Sequence, residues 1–127
     1  MRNIIAFTLA CALSACGSAD SGLIGKTQKA VQTKLKDPDS AKFGEAFVVT
    51  PEEQSTIYSD LRRVCGDVSA KNSYGAYEGR IRFVGLLGKA AGSKDLELLS
   101  LEIEPAPGNS VFQIVHWDAD CKRQTAS

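Results

Sequence analysis

The chain is poor in the residues that most often carry chemistry. Its 127 residues include a single His, a single Trp and four Cys. One imidazole offers little to a general-base mechanism or to a His-rich metal centre. Neither a Gly-x-Ser-x-Gly elbow nor a phosphate-cradling glycine loop occurs. Charge of one sign is missing too: 15 basic side chains balance 15 acidic ones, which gives no footprint for nucleic acid. No apolar run reaches the ~20 residues of a membrane-spanning helix, since the stretch Ile4–Ala15 gives way to Gly17-Ser18-Ala19-Asp20. The composition points away from an enzyme and calls for no cofactor.

What is present starts with that apolar stretch. Met1-Arg2-Asn3 supplies a basic start and Ile4–Ala15 carries no charge, the two parts of a signal peptide over residues 1–15. Leu13-Ser14-Ala15-Cys16 then places a branched apolar residue and two small ones before a Cys. This resembles the lipobox of bacterial lipoproteins. The resemblance implies cleavage before Cys16, a diacylglyceryl group on its sulfur, and attachment to the membrane through that lipid. Cys11 fits the pattern less well, because Thr8 holds the branched position. An ordinary secretory signal with an incidental thiol at Cys16 is the competing reading. In enteric bacteria, Gly17 rather than Asp after such a Cys implies the outer membrane.

Removal of the signal leaves a short tether, residues 16–22, and one domain, residues 23–127, whose core is thin. Cys11 departs with the signal and Cys16 is taken by lipid, so Cys65 and Cys121 remain to pair in an oxidising compartment. Residues 23–36 have helical periodicity. Ile24, Thr27, Val31 and Leu35 fall on one face, Lys26, Lys29 and Lys36 on the other, and Asp37-Pro38 ends the helix. The remainder reads as strands: residues 43–50, residues 57–70 with Cys65, and a third in which Ile81 and Phe83 oppose Arg80 and Arg82. In a fourth, Leu99, Leu101 and Ile103 alternate with Ser100, Glu102 and Glu104. Residues 71–77, 88–95 and 105–109 supply the turns. The last apolar run, Val111–Trp117, reads as a strand that is central or covered by the helix. The expected fold is α+β: one N-terminal helix packed on an antiparallel sheet of about five strands, with one disulfide.

Two stretches, Leu35-Lys36-Asp37-Pro38-Asp39-Ser40-Ala41-Lys42-Phe43 and the segment from Val64 to Gly79, together resemble a family of small bacterial and phage-encoded envelope proteins. The chain departs from that pattern at Ala76, where the family has Gly, and at Ser69, where Asn is frequent. The resemblance supports the fold and the strand order and carries no activity.

Candidate contact residues lie in two places. Lys71, Asn72, Tyr74 and Tyr77 sit in a turn whose aromatic side chains suit a protein partner, although Asn72, Gly75 and Gly79 also have backbone reasons to be there. The helix lysines Lys26, Lys29 and Lys36 suit anionic head groups, or simply a solvated face. His116, Asp118 and Asp120 share one side if the last strand continues, but three such ligands make a weak metal signature, and no metal site is assigned. Glu45, Asp67 and Glu78 are the acids from which a carboxylate pair could be drawn. The sequence therefore suggests a lipid-anchored envelope protein that binds an unidentified envelope partner. Contact with lipid or envelope glycan is the alternative, and a hydrolase acting on an envelope polymer is a weaker one.

Overall fold

The computed structural model describes residues 18–122. The signal peptide, the lipobox and Cys16 lie outside the described residues. Helix α1 runs Ser18–Lys34. It begins earlier than periodicity suggested, taking in the described part of the expected tether. No proline interrupts that stretch, and Asp20 in the first turn faces the positive end of the helix dipole. Thr27 and Val31 have no exposed surface, and Leu23, Ile24 and Leu35 pack beside them. Helix α1 stops at Lys34, short of Lys36. Asp37-Pro38 then opens a single 3-10 turn, Pro38–Ser40, closed by the Ser40 N–H donating to Asp37 O.

Among the described residues four antiparallel strands follow, not five: β1 Lys42–Val49, β2 Tyr58–Lys71, β3 Tyr77–Ala90 and β4 Glu97–Ile103, paired in chain order. The registers Phe43↔Val68, Val68↔Ile81 and Phe83↔Ile103 gather apolar residues on the face covered by α1. Val64, Val68, Phe83 and Leu87 are fully buried there against Val31. Close approach demands a glycine at Gly85, where a Cβ would come within 2.7 Å of Thr27 Cγ2. Strand β3 runs on through Gly88 to Ala90, so the turn to β4 is shorter than residues 88–95 suggested. A register shift in β3–β4 also breaks the simple alternation. Leu98 pairs with Leu87 and joins the core, and Leu99 covers Gly88 instead.

The largest departure concerns the last apolar run, which is helical. Helix α2, residues 110–120, is α-helical at Ser110–Phe112, π-helical at Gln113–Trp117 and α-helical again at Asp118–Asp120. The Asn109 side chain caps its start by accepting from the Phe112 N–H. The π turn spaces Phe112, Trp117 and Cys121 so that all three pack with Cys65, Val84, Phe47 and Val49 on the second face of the sheet. Both sheet faces are therefore covered, one by α1 and the other by α2.

Two connections fasten α2 to the sheet. Cys65 on β2 is bonded to Cys121, with Cα atoms 5.9 Å apart. The pairing holds, but Cys121 approaches from the end of a helix and not from a neighbouring strand. The second connection is Arg82 on β3, whose guanidinium lies 5.5 Å from the Phe112 ring centre and 5.3 Å from that of Trp117. It donates to both oxygens of buried Glu104 and to Gln113 Oε1. Burial alone would raise the Glu104 pKa. Hydrogen bonds from the Arg82 guanidinium and from the backbone N–H groups of Arg82 and Asn109 outweigh it and hold the carboxyl below its ordinary value.

Candidate functional site

The β2–β3 hairpin closes on its own backbone chemistry. The Asn72 N–H donates to Ala76 O, and Asn72 Oδ1 accepts from the N–H groups of Tyr74 and Ala76. Gly75 supplies a left-handed φ of 81°. Ala76 keeps a negative φ, so an alanine at that position brings no backbone strain. Asn72 Nδ2 also donates to Glu78 Oε1 at 2.6 Å. Tyr77 turns back across the sheet end. Its hydroxyl donates to Ser40 O at 3.0 Å, and the Lys42 and Lys71 ammonium groups sit 4.9 Å and 5.9 Å from its ring centre.

The Tyr74 side chain does none of this. It is 95 % exposed and stands at the rim of a cleft of about 310 Å³. Leu35, Ala70 and Ile81 line the cleft, together with the Pro105-Ala106-Pro107 turn and the side chains of Lys36 and Lys71. Gly79 helps to shape it. With a φ of 114°, Gly79 bends the strand so that Pro107 can seat 3.3 Å from where a Cβ would lie. Of the four turn residues marked in the sequence, Lys71, Asn72 and Tyr74 line the cleft, Asn72 while also fixing the turn and Lys71 with its ammonium near the Tyr77 ring, whereas Tyr77 turns away to Ser40.

The other candidates separate. Lys26 Nζ donates to Leu96 O at 2.6 Å, Lys29 is exposed on α1, and Lys36, past the helix end, belongs to the cleft, so the three lysines form no continuous face. Because α2 is helical, His116, Asp118 and Asp120 point in different directions. His116 rests on the Phe112 ring, Asp118 accepts from Gln113 Nε2, and Asp120 lies 3.5 Å from Arg63. Among the described residues no three His, Cys, Asp or Glu side chains are placed to hold a metal. Asp67 is held by Arg80, which donates from Nε at 2.8 Å and also reaches Lys42 O. Glu78 is tied to Asn72.

One feature escaped the sequence reading. Val111, Ile114 and Val115 stand 67 %, 69 % and 54 % exposed along the outer side of α2. Their spacing signals such a stripe only once the run is known to be a helix. No family model, no curated protein and no solved structure matches this chain.

Proposed function

We propose that the protein is a lipid-anchored, non-enzymatic lipoprotein of the bacterial envelope, sorted to the outer membrane, whose hairpin cleft binds a protein partner. The observation that carries the binding role is Tyr74. Asn72, Gly75 and Tyr77 secure the turn without its side chain, and a large amphipathic ring left in water beside a partly apolar cleft has the character of an interface anchor. The lipid anchor rests on Leu13-Ser14-Ala15-Cys16. A non-catalytic role is supported by Asp67 and Glu78, which are both committed to neighbouring side chains. Contact of the helix lysines with lipid or glycan finds less support, because Lys26 and Lys36 are turned to other surroundings.

A photo-crosslinker at position 73 in intact cells tests the binding role. Tyr74→Ala should cut the adduct yield about tenfold or more, as for loss of an interface hot spot. An unchanged yield removes the cleft from the reading. Cys16→Ser tests the anchor separately, since the product should no longer partition into detergent.

A further inference from the structure

The hairpin cleft has two unlike walls. Helix α1 stops at Lys34, short of the hairpin, so the sheet face that carries Ala70 and Ile81 lies open as a floor beside Leu35. On the β2 side stand Lys36 and Lys71, both next to the Pro38–Ser40 turn, where the Lys71 N–H donates to Ser40 Oγ. On the other side of β3, where β4 has ended, stands the Pro105-Ala106-Pro107 turn, whose prolines offer no N–H. The charge on the basic wall is uncompensated. Among the described residues neither lysine forms a salt bridge, and Glu78, the acid that lines the cleft, is tied to Asn72 Nδ2. Lys71 is half-buried, and its ammonium shares the Tyr77 ring with that of Lys42. A half-buried ammonium beside a second one gains from a carboxylate.

We propose that the cleft takes a short acidic segment of a protein partner, with an apolar side chain seated on Leu35, Ala70 and Ile81 beside Tyr74 and an adjoining Asp or Glu carboxylate held by Lys36 and Lys71. This rests on the cleft-binding reading above and gives the partner a chemistry. The volume of about 310 Å³ is at the small end for a ligand pocket, which suits one anchoring side chain and not a long segment. A basic segment would meet like charge there. A wholly apolar one would strip water from Lys71 and return nothing in its place. In the acidic segment the apolar side chain supplies affinity through the area it buries, and the carboxylate sets specificity and register.

The test selects random displayed heptapeptides on the full chain and on its Lys36→Glu/Lys71→Glu variant. The parent should enrich sequences with Asp or Glu next to an apolar residue, and the charge-reversed chain should enrich Lys or Arg in that place. The strongest parent peptide, titrated by fluorescence anisotropy, should lose about tenfold in affinity for Lys36→Gln/Lys71→Gln. Thermal unfolding of that variant should stay near the parent's, since neither lysine is in a salt bridge. Raising the ionic strength from about 0.01 M to about 1 M should weaken the parent's binding severalfold and the variant's little. Peptides without an acidic bias, an absence of enrichment, or equal affinity of the two chains overturns the proposal. Self-association of the chain that Tyr74→Ala abolishes would give the cleft to a second copy and overturn it as well. Tyr74→Ala also separates this proposal from the reading beneath it. A peptide that needs Tyr74 but ignores both lysines keeps the cleft and removes the acidic partner, whereas one that needs the lysines but not Tyr74 removes Tyr74 as the anchor and keeps the acidic segment.

Discussion

Arg82 and Glu104 form a two-pronged ion pair beneath α2, with Nη2 to Oε2 at 2.6 Å, Nε to Oε1 at 3.2 Å, and almost no exposure of the carboxylate. Each partner also holds backbone or helix groups, so the pair fastens β3, β4 and α2 at one point. Breaking one side of a buried pair strands the other charge, so Glu104→Gln should cost about 3 to 5 kcal/mol. The Glu104 pKa is lowered by folding. Its contribution is therefore fully present above the ordinary carboxylate value of about 4.3 and is lost as pH falls through the lowered folded value. Denaturant titrations at stepped pH should show stability dropping across that acidic window, and Glu104→Gln should flatten the drop. A parallel decline in both proteins would assign it to other carboxylates.

The Cys65–Cys121 bond closes a loop with a sequence separation of 56 residues and pins the free end of α2. Replacing both residues with Ser should lower stability by about 2 to 5 kcal/mol. Val84, Phe112 and Trp117 should still hold α2 on the sheet in milder conditions, so far-ultraviolet dichroism at low temperature should stay close to that of the parent. A helical signal lost at once would mean that the disulfide alone keeps α2 in place.

Gly22 and Gly25 lie inside α1, and a Cβ at either would meet nothing within 4 Å. Neither has a left-handed φ. Alanine should fit both positions and stabilise the helix by up to about 1 kcal/mol each, read as a raised Tm. A lowered Tm would reveal packing against these positions.

The two hairpin tyrosines should behave differently in unfolding experiments. Tyr77→Phe removes the hydrogen bond to Ser40 O and should cost about 0.5 to 1.5 kcal/mol. Tyr74→Ala removes a side chain that is 95 % exposed and should stay within about 0.5 kcal/mol of the parent. If Tyr74→Ala proved the more destabilising, Tyr74 would be a structural residue and its claim as a partner contact would fail.

Elements whose signals are local follow from the amino-acid order alone. Asp37-Pro38 keeps α1 from running on past Lys36, because the residue before proline avoids the α region, although the helix ends earlier, at Lys34. Asn72 and Gly75 set the hairpin because their side-chain oxygen and left-handed backbone serve a turn directly. The alternation of Arg80 and Arg82 with Ile81 and Phe83 marks a strand with two unlike faces. Elimination among four cysteines identified the bonded pair. The rest depends on long-range packing. Val111–Trp117 is rich in β-branched and aromatic residues and holds only two polar ones, Gln113 and His116, too few to fix its period from the sequence. It becomes helical where Asn109 caps its start and where the second face of the sheet, with Val84 and Cys65, needs an apolar cover. The same placement leaves Val111, Ile114 and Val115 in water and turns Arg82 from an outward-facing charge into the half-buried partner of buried Glu104. The cleft likewise exists only where the end of α1, the hairpin and the Pro105–Pro107 turn meet. Lys36, Tyr74 and Pro107 lie far apart along the chain, and only the folded sheet brings them to one surface.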